Sequence, residues 1–175
     1  MSTTATTPTK TTAGTTDASA RAGRYLTFSM AREEYGLEIL KVQEIIGMMN
    51  VTRVPRTPDF IRGVINLRGK VIPVIDLRRK LQFEAKDDTD RTCIIVVQVQ
   101  HADTTITMGI IVDSVSEVLN VSATQIEPTP EFGFNISTEF ILGMGKVDKR
   151  VIILLDADRI LSTGELTEAT ASVRG

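Results

Sequence analysis

The sequence predicts an all-β fold in which two small five-stranded barrels, related by internal duplication, are joined by short helical turns. Three observations predict it. Short runs rich in Val, Ile, Tyr and Phe are separated by Gly, Pro, Asn and Asp, the pattern of many short strands. Sustained 3.6-residue apolar periodicity is missing, so long amphipathic helices are not expected. Finally, Ile61–Leu81 (IRGVINLRGKVIPVIDLRRKL) lies over Ile141–Leu161 (ILGMGKVDKRVIILLDADRIL) without a gap. That alignment matches Ile61 with Ile141, Gly63 with Gly143, Val71 with Val151, Ile72 with Ile152, Asp76 with Asp156, Arg79 with Arg159 and Leu81 with Leu161.

The echo extends upstream. Tyr35–Ile39 aligns with Met108–Val112, which carries Val42 onto Val115, Glu44 onto Glu117 and Pro55 onto Pro128. A chance match between β-rich segments is the alternative, but the shared order, with Gly and Asp in step, favours duplication. Each half holds about five strands, too few to cover two faces as a flat sheet, so closure into a small barrel removes the open edges. Such barrels bury little surface alone, and the apolar residues between the copies should form a third, shared core.

Taken in order, residues 1–23 are mostly Thr, Ala, Ser and Gly without apolar period, and read as a disordered tail. The folded domain is expected over residues 24–161. Strands are expected at Tyr25–Met30, Tyr35–Ile39, Arg62–Asn66, Lys70–Ile75, Cys93–Gln100, Thr105–Val112, Ile141–Lys146 and Val151–Leu155, with single helical turns at Lys41–Ile46, Leu77–Leu81 and Ala157–Leu161. The second copy carries a longer loop around Phe132–Thr138. Residues 162–175 read as a second flexible tail.

Composition narrows the function classes. A chain of 175 residues with 42% hydrophobic and 24% charged residues can bury a core, which argues against disorder throughout. A net charge of −2 supplies no field for nucleic acid or an anionic membrane. Cys93 has no partner for an internal disulfide, the N-terminal residues lack a signal-peptide pattern, and no apolar run approaches the ~20 residues of a membrane span, so a cytoplasmic protein is expected.

A search for catalytic groups returns little. His101 falls between two strands where a hairpin is expected, and one His with one Cys makes neither a nucleophilic pair nor a zinc cluster. No metal or cofactor site is expected. No phosphate-cradling glycine loop or nucleophile elbow occurs. Asp76 and Asp156 could be paired carboxylates, yet each follows an apolar strand just before a helical turn, where an aspartate caps free N–H groups. An enzyme built on a β-barrel and a nucleic-acid-binding barrel protein are the competing classes; the missing acid–base machinery and the net charge disfavour them.

Three stretches resemble the CheW family of bacterial chemotaxis coupling proteins. They are Tyr35–Ile46 followed by Thr52–Pro58, then Phe60–Arg78 with its Asn66-Leu67-Arg68-Gly69 block and Pro73-Val74-Ile75-Asp76-Leu77-Arg78 run, and then Gly109–Val118 with Ile141–Gly143 and Leu154–Asp156 beyond it. The resemblance implies two intertwined SH3-like barrels and a non-enzymatic adaptor. It would join the cytoplasmic tip of chemoreceptors to the regulatory domain of the histidine kinase CheA, as a monomer when free, associated with membrane-bound receptor arrays. CheV proteins and the kinase itself carry the same fold beside further domains, for which this chain is too short.

The resemblance also implies site residues. Arg68, projected from a hairpin by Gly69, matches an arginine tied to receptor coupling; a bidentate pair with Glu44 would hold the hairpin against the first barrel. Ile39, Val42 and Ile46 would form an apolar strip beside Glu44, or belong to the core; Val115 would line the opposite side. Gly63, just before Val64 and Ile65, would let another backbone or a bulky partner side chain come close, and an added side chain should obstruct docking even if the barrel survives. Arg62, Glu127 and Phe132 are assigned to kinase contacts, Phe132 in the Pro128–Phe134 loop that breaks the duplication; folding of Phe132 and Phe134 back under that loop is the alternative.

Overall fold

A computed structural model describes residues 22–81, 83–84, 87–101, 103–128 and 140–160. Eleven strands run in order: β1 (Gly23–Met30), β2 (Glu33–Glu38), β3 (Val42–Gly47), β4 (Ile61–Leu67), β5 (Lys70–Asp76), β6 (Cys93–His101), β7 (Thr104–Val112), β8 (Ser114–Val121), β9 (Ile126–Glu127), β10 (Ile141–Val147) and β11 (Arg150–Leu155). Two single-turn helices follow β5 and β11, α1 (Leu77–Lys80) and α2 (Ala157–Ile160), and 3-10 turns occupy Ile39–Lys41 and Ala123–Gln125. The Thr-rich N-terminal segment, Phe132, Phe134 and residues 162–175 lie outside the described residues.

The strands form two sheets, one ordered β8-β1-β2-β11-β10-β9 and the other β3-β6-β7-β5-β4. The halves have exchanged hairpins. β1–β2, from the first half, joins strands that otherwise come from the second, and β6–β7 does the reverse, each through one parallel pairing: β2 with β11, and β5 with β7. Aligned residues make aligned contacts across this exchange. Leu154 is registered against Gly36, and its counterpart Val74 against Gly109, the counterpart of Gly36. At both glycines a Cβ would press on aliphatic side chains, 3.2 Å from Leu154 Cδ2 at Gly36 and 2.8 Å from Ile94 Cγ2 at Gly109, so the missing side chains let strand and neighbour close up.

Alternation along the strands sorts the apolar residues into three cores. One barrel interior holds Ile65, Ile72, Val74, Ile94, Val96 and Ile111, and the other Tyr25, Val121, Ile126, Ile152 and Leu154. Between them lies the largest cluster, in which Leu26, Phe28, Met30, Tyr35 and Leu37 from β1–β2 meet Ile95, Val97, Val99, Met108, Ile110 and Val112 from β6–β7. The expected third core is therefore present, and it is built mainly from the two exchanged hairpins.

Asp76 and Asp156 act as caps. Asp76 Oδ1 accepts from the Arg78 amide at 3.1 Å and Asp156 Oδ1 from the Arg159 amide at 3.2 Å; their own amides donate to the Phe60 and Phe140 carbonyls at 2.7 and 2.8 Å. Two local expectations need correction. Lys41–Ile46 is not a helical turn: only Ile39–Lys41 is helical, and Val42 begins β3, because β6 offers a ladder that overrides the weak helical spacing. Ser114–Val121, where the sequence pattern predicts no strand, forms β8 against β1. Its ladder breaks at Thr27, whose buried hydroxyl donates to the Glu117 carbonyl (2.7 Å) and accepts from the Glu117 amide (3.1 Å), standing in for the lost backbone pair.

Candidate functional site

The β4–β5 hairpin turns through Arg68 and Gly69, both with positive φ (53° and 85°), the geometry of a two-residue type I′ turn. The Gly69 amide donates to Asn66 Oδ1 at 2.8 Å, which locks the turn from within. Arg68 consequently projects outward, its side chain 66% exposed, and its Nη2 pairs with Glu44 Oε2 on β3. The expected pair is thus formed, through one nitrogen–oxygen contact rather than a bidentate fork. The other half holds a counterpart: Glu117, aligned with Glu44, lies 3.6 Å from Arg150 Nη2 at the matching hairpin, and Arg150 also reaches Glu34 at 3.1 Å.

The apolar strip differs from the expected one. Ile39, Val42 and Val115 are partly buried and pack on the shared core, whereas Ile46 packs into the barrel interior. A bulge between Val42 and Glu44 rotates the strand and separates them. Among the described residues, the exposed large apolar side chains are instead Leu40 (92%), Ile45, Met49, Val71, Val118 and Val151. Four of these are counterparts, Ile45 with Val118 and Val71 with Val151, so both barrels present the same pair outward. Sequence spacing missed them because it reports periodicity, not which face the bulge turns to solvent.

Gly63 has φ 146°, and a Cβ there would lie 2.1 Å from the Thr52 carbonyl oxygen. The backbone that comes close is the chain's own: Thr52 and Val64 exchange two hydrogen bonds of 2.8 Å that lay the 51–52 segment along β4. Of the two expected neighbours of Gly63, another backbone or a partner side chain, the structure shows the backbone, so a side chain here would disturb the 51–52 segment as well.

Arg62 enters a different environment. Its Nη1 donates to buried Asp76 Oδ2 at 3.1 Å, and its Nη2 to both oxygens of Asp88 at 2.6 Å. The hydrogen bond to Asp88 is the main cause that raises the Arg62 pKa, against the opposing effect of burial. A cleft of about 310 Å³, lined by Arg53, Asp59, Ile61, Arg62, Asp76, Arg79, Asp87 and Asp88, opens beside this group. Glu127 lies on β9 of the other sheet, ion-paired with Lys146 at 2.5 Å, and so belongs to a different barrel from Arg62. Phe132 falls outside the described residues.

One network has no sequence signal. Arg78 grips Asp113 with two parallel bonds of 2.8 Å and donates from Nη1 to the Glu84 carbonyl, while the Ala31 amide donates to Asp113 at 3.2 Å and anchors the β1–β2 turn. The network ties α1 to the exchanged hairpin across residues 35 and 82 positions apart in the chain. Among the described residues, no group of three or more potential metal ligands occurs, and no helix is long and apolar enough to cross a membrane.

Comparison with known proteins agrees with this architecture. A family model described as the CheW-like domain matches residues 24–165. The chain is 44% identical over 142 residues to the chemotaxis protein CheW of Klebsiella aerogenes, covering 81% of this chain and 83% of that protein. It is 37% identical over 140 residues to a probable chemotaxis protein CheW of Rhizobium etli, covering 80% and 88%. The crystal structure of the scaffolding protein TtCheW from Thermoanaerobacter tengcongensis superposes with a TM-score of 0.72 at 35% identity, covering 82% of this chain and 95% of that one. With two exchanged SH3-like barrels, a shared core and a family match over residues 24–165, the chain belongs to the CheW family.

Proposed function

We infer that this chain is a non-enzymatic chemotaxis adaptor that couples the cytoplasmic tip of chemoreceptors to the regulatory domain of the histidine kinase CheA, working in the cytoplasm at membrane receptor arrays. The observation that carries this reading is the hairpin-borne Arg68 paired with Glu44 at the mouth of the first barrel. A receptor tip is a helical hairpin, and its apolar stripe needs a surface with both charge and exposed aliphatic groups. Glu44 and Arg68 supply the charge. Ile39, Val42 and Val115 at the rim of the shared core, with exposed Leu40 and Ile45 on the same stretch, supply the apolar contact. Gly63 contributes by fixing the 51–52 segment next to this hairpin. For the kinase, Arg62, Glu127 and Phe132 are the proposed contacts, Arg62 and Glu127 lying on different sheets, which suits contacts to two neighbouring subunits.

The test is capture of CheA and of a receptor-tip fragment by the purified chain, wild type and Arg68→Glu. The reading expects wild type to retain both and the variant to lose the receptor fragment while keeping the kinase. Retention of neither partner by the wild type would overturn it.

A further inference from the structure

Arg62 has no charged counterpart in the other half. In the aligned second half its position is Leu142, which packs on the barrel interior, yet Asp156 there still caps α2 as Asp76 caps α1. The charge on Arg62 thus has no equivalent in the second half, where, among the described residues, the less buried Asp156 pairs with Arg159 alone, whereas buried Asp76 pairs with Arg62 at 3.1 Å. Arg62 has a consistent geometry. One arm of the guanidinium is fixed by buried Asp76, itself held by the α1 cap; the other arm points into the cleft that Arg53 and Arg79 also line.

What meets that second arm is a carboxylate on an irregular segment. Asp88 precedes a tight turn in which the Thr89 amide donates to Thr92 Oγ1 at 2.8 Å and the Thr92 amide to the Thr89 carbonyl at 3.2 Å. Its side chain is 37% exposed. Both of its oxygens face a single nitrogen, Nη2, instead of the parallel fork that Arg78 makes with Asp113. A ligand able to approach Arg62 end-on could use two nitrogens and bind better than the resident carboxylate.

We propose that Arg62 recognises a side-chain carboxylate from an acidic segment of a protein partner, and that Asp88 is a built-in competitor which must leave before that carboxylate can dock. The chemistry is named by the occupant: Arg62 already holds a carboxylate, in a cleft lined by Arg53 and Arg79 together with Asp59, Asp76 and Asp87. The inference rests on the reading of Arg62 as a kinase contact for the identity of the partner, but not for the competition itself.

Two measurements separate these. Calorimetry with the CheA regulatory domain should show Asp88→Asn binding about three- to fivefold tighter than wild type, the range a solvent-screened ion pair can withhold. Arg62→Leu, which installs the residue found at the equivalent position of the second half, should bind at least about tenfold more weakly. Asp88→Asn should add nothing in the Arg62→Leu background. In parallel, NMR titration with a tetraglutamate peptide should move the Arg62 side-chain resonance at lower peptide concentration in Asp88→Asn than in wild type. If the wild type does not bind the kinase but the peptide titration behaves as described, the partner assignment fails and the competition stands. Asp88→Asn that leaves both readouts unchanged, or that acts equally without Arg62, overturns the inference.

Discussion

Replacing Gly63 by alanine places a methyl group where the Thr52 carbonyl oxygen already lies, 2.1 Å from the ideal Cβ position, with the Val51 side chain at 2.8 Å. The contact is with backbone, so no rotamer change relieves it. Thr52 must move, and the two 2.8 Å hydrogen bonds it exchanges with Val64 are lost. At a net worth of about 1 kcal/mol each this removes about 2 kcal/mol. Holding alanine at φ 146° adds about 1–3 kcal/mol of backbone strain. The expected loss is therefore about 3–5 kcal/mol, a large share of the roughly 5–15 kcal/mol typical of a small domain. Gly69→Ala is the control: its φ is also positive at 85°, but nothing lies within 4 Å of the added carbon, so about 1–2 kcal/mol is expected. Urea denaturation followed by circular dichroism measures both, the midpoint falling while the slope is preserved. A Gly63→Ala protein within about 1 kcal/mol of wild type, yet defective in receptor binding, would refute the structural role and leave a docking role alone.

Three further outcomes follow from named contacts. Arg68→Glu and Glu44→Arg, measured singly and together in a stability double-mutant cycle, should show coupling of about 0.2–1 kcal/mol, because the pair is solvent-screened; zero coupling would mean that the contact is not maintained in solution. Burial raises the Glu38 pKa, with Asp156 and Asp158 adding to the effect and Lys41 opposing it. Its folded pKa thus exceeds its unfolded one, so the stabilisation it contributes is complete below the unfolded value and lost as pH rises through the folded value. Glu38→Gln should accordingly raise the melting temperature near neutrality and leave it unchanged below about pH 4; an equal shift at both pH values would contradict the burial argument. Phe132→Ala should keep monomer stability and binary kinase binding but reduce sedimentation of receptor–kinase–adaptor assemblies, whereas destabilisation by about 3–5 kcal/mol would assign the ring to the core.

The duplication is legible because closure repeats its constraints: the Gly63/Gly143 bulges, the Asp76/Asp156 caps and the Val71/Val151 hairpins each recur at one spacing. Strand exchange is not legible from residues, since the same alternation satisfies either pairing; only the parallel contacts of Gly36 with Leu154 and Gly109 with Val74 distinguish them. In the site, Arg68 and Glu44 can be paired from the resemblance, because Gly69 marks the turn that aims the arginine. The exposed Ile45, the Asp88 cover on Arg62 and the Arg78–Asp113 grip cannot, as each depends on a bulge or on loops far apart in sequence. β8 is hard to read for a related reason: as an edge strand it buries little besides Val121, so its apolar alternation is weak.

Function as a coupler is tested most directly by kinase activity in a reconstituted assembly. Receptors in nanodiscs or vesicles, CheA and this chain are combined, and CheA autophosphorylation is followed with and without receptor ligand. With the wild-type chain the account predicts kinase activity that depends on the chain and responds to ligand. With Arg68→Glu it predicts that CheA remains bound while the ligand response is lost. Ligand-controlled activity that is the same without the chain, or undiminished by Arg68→Glu, would contradict it.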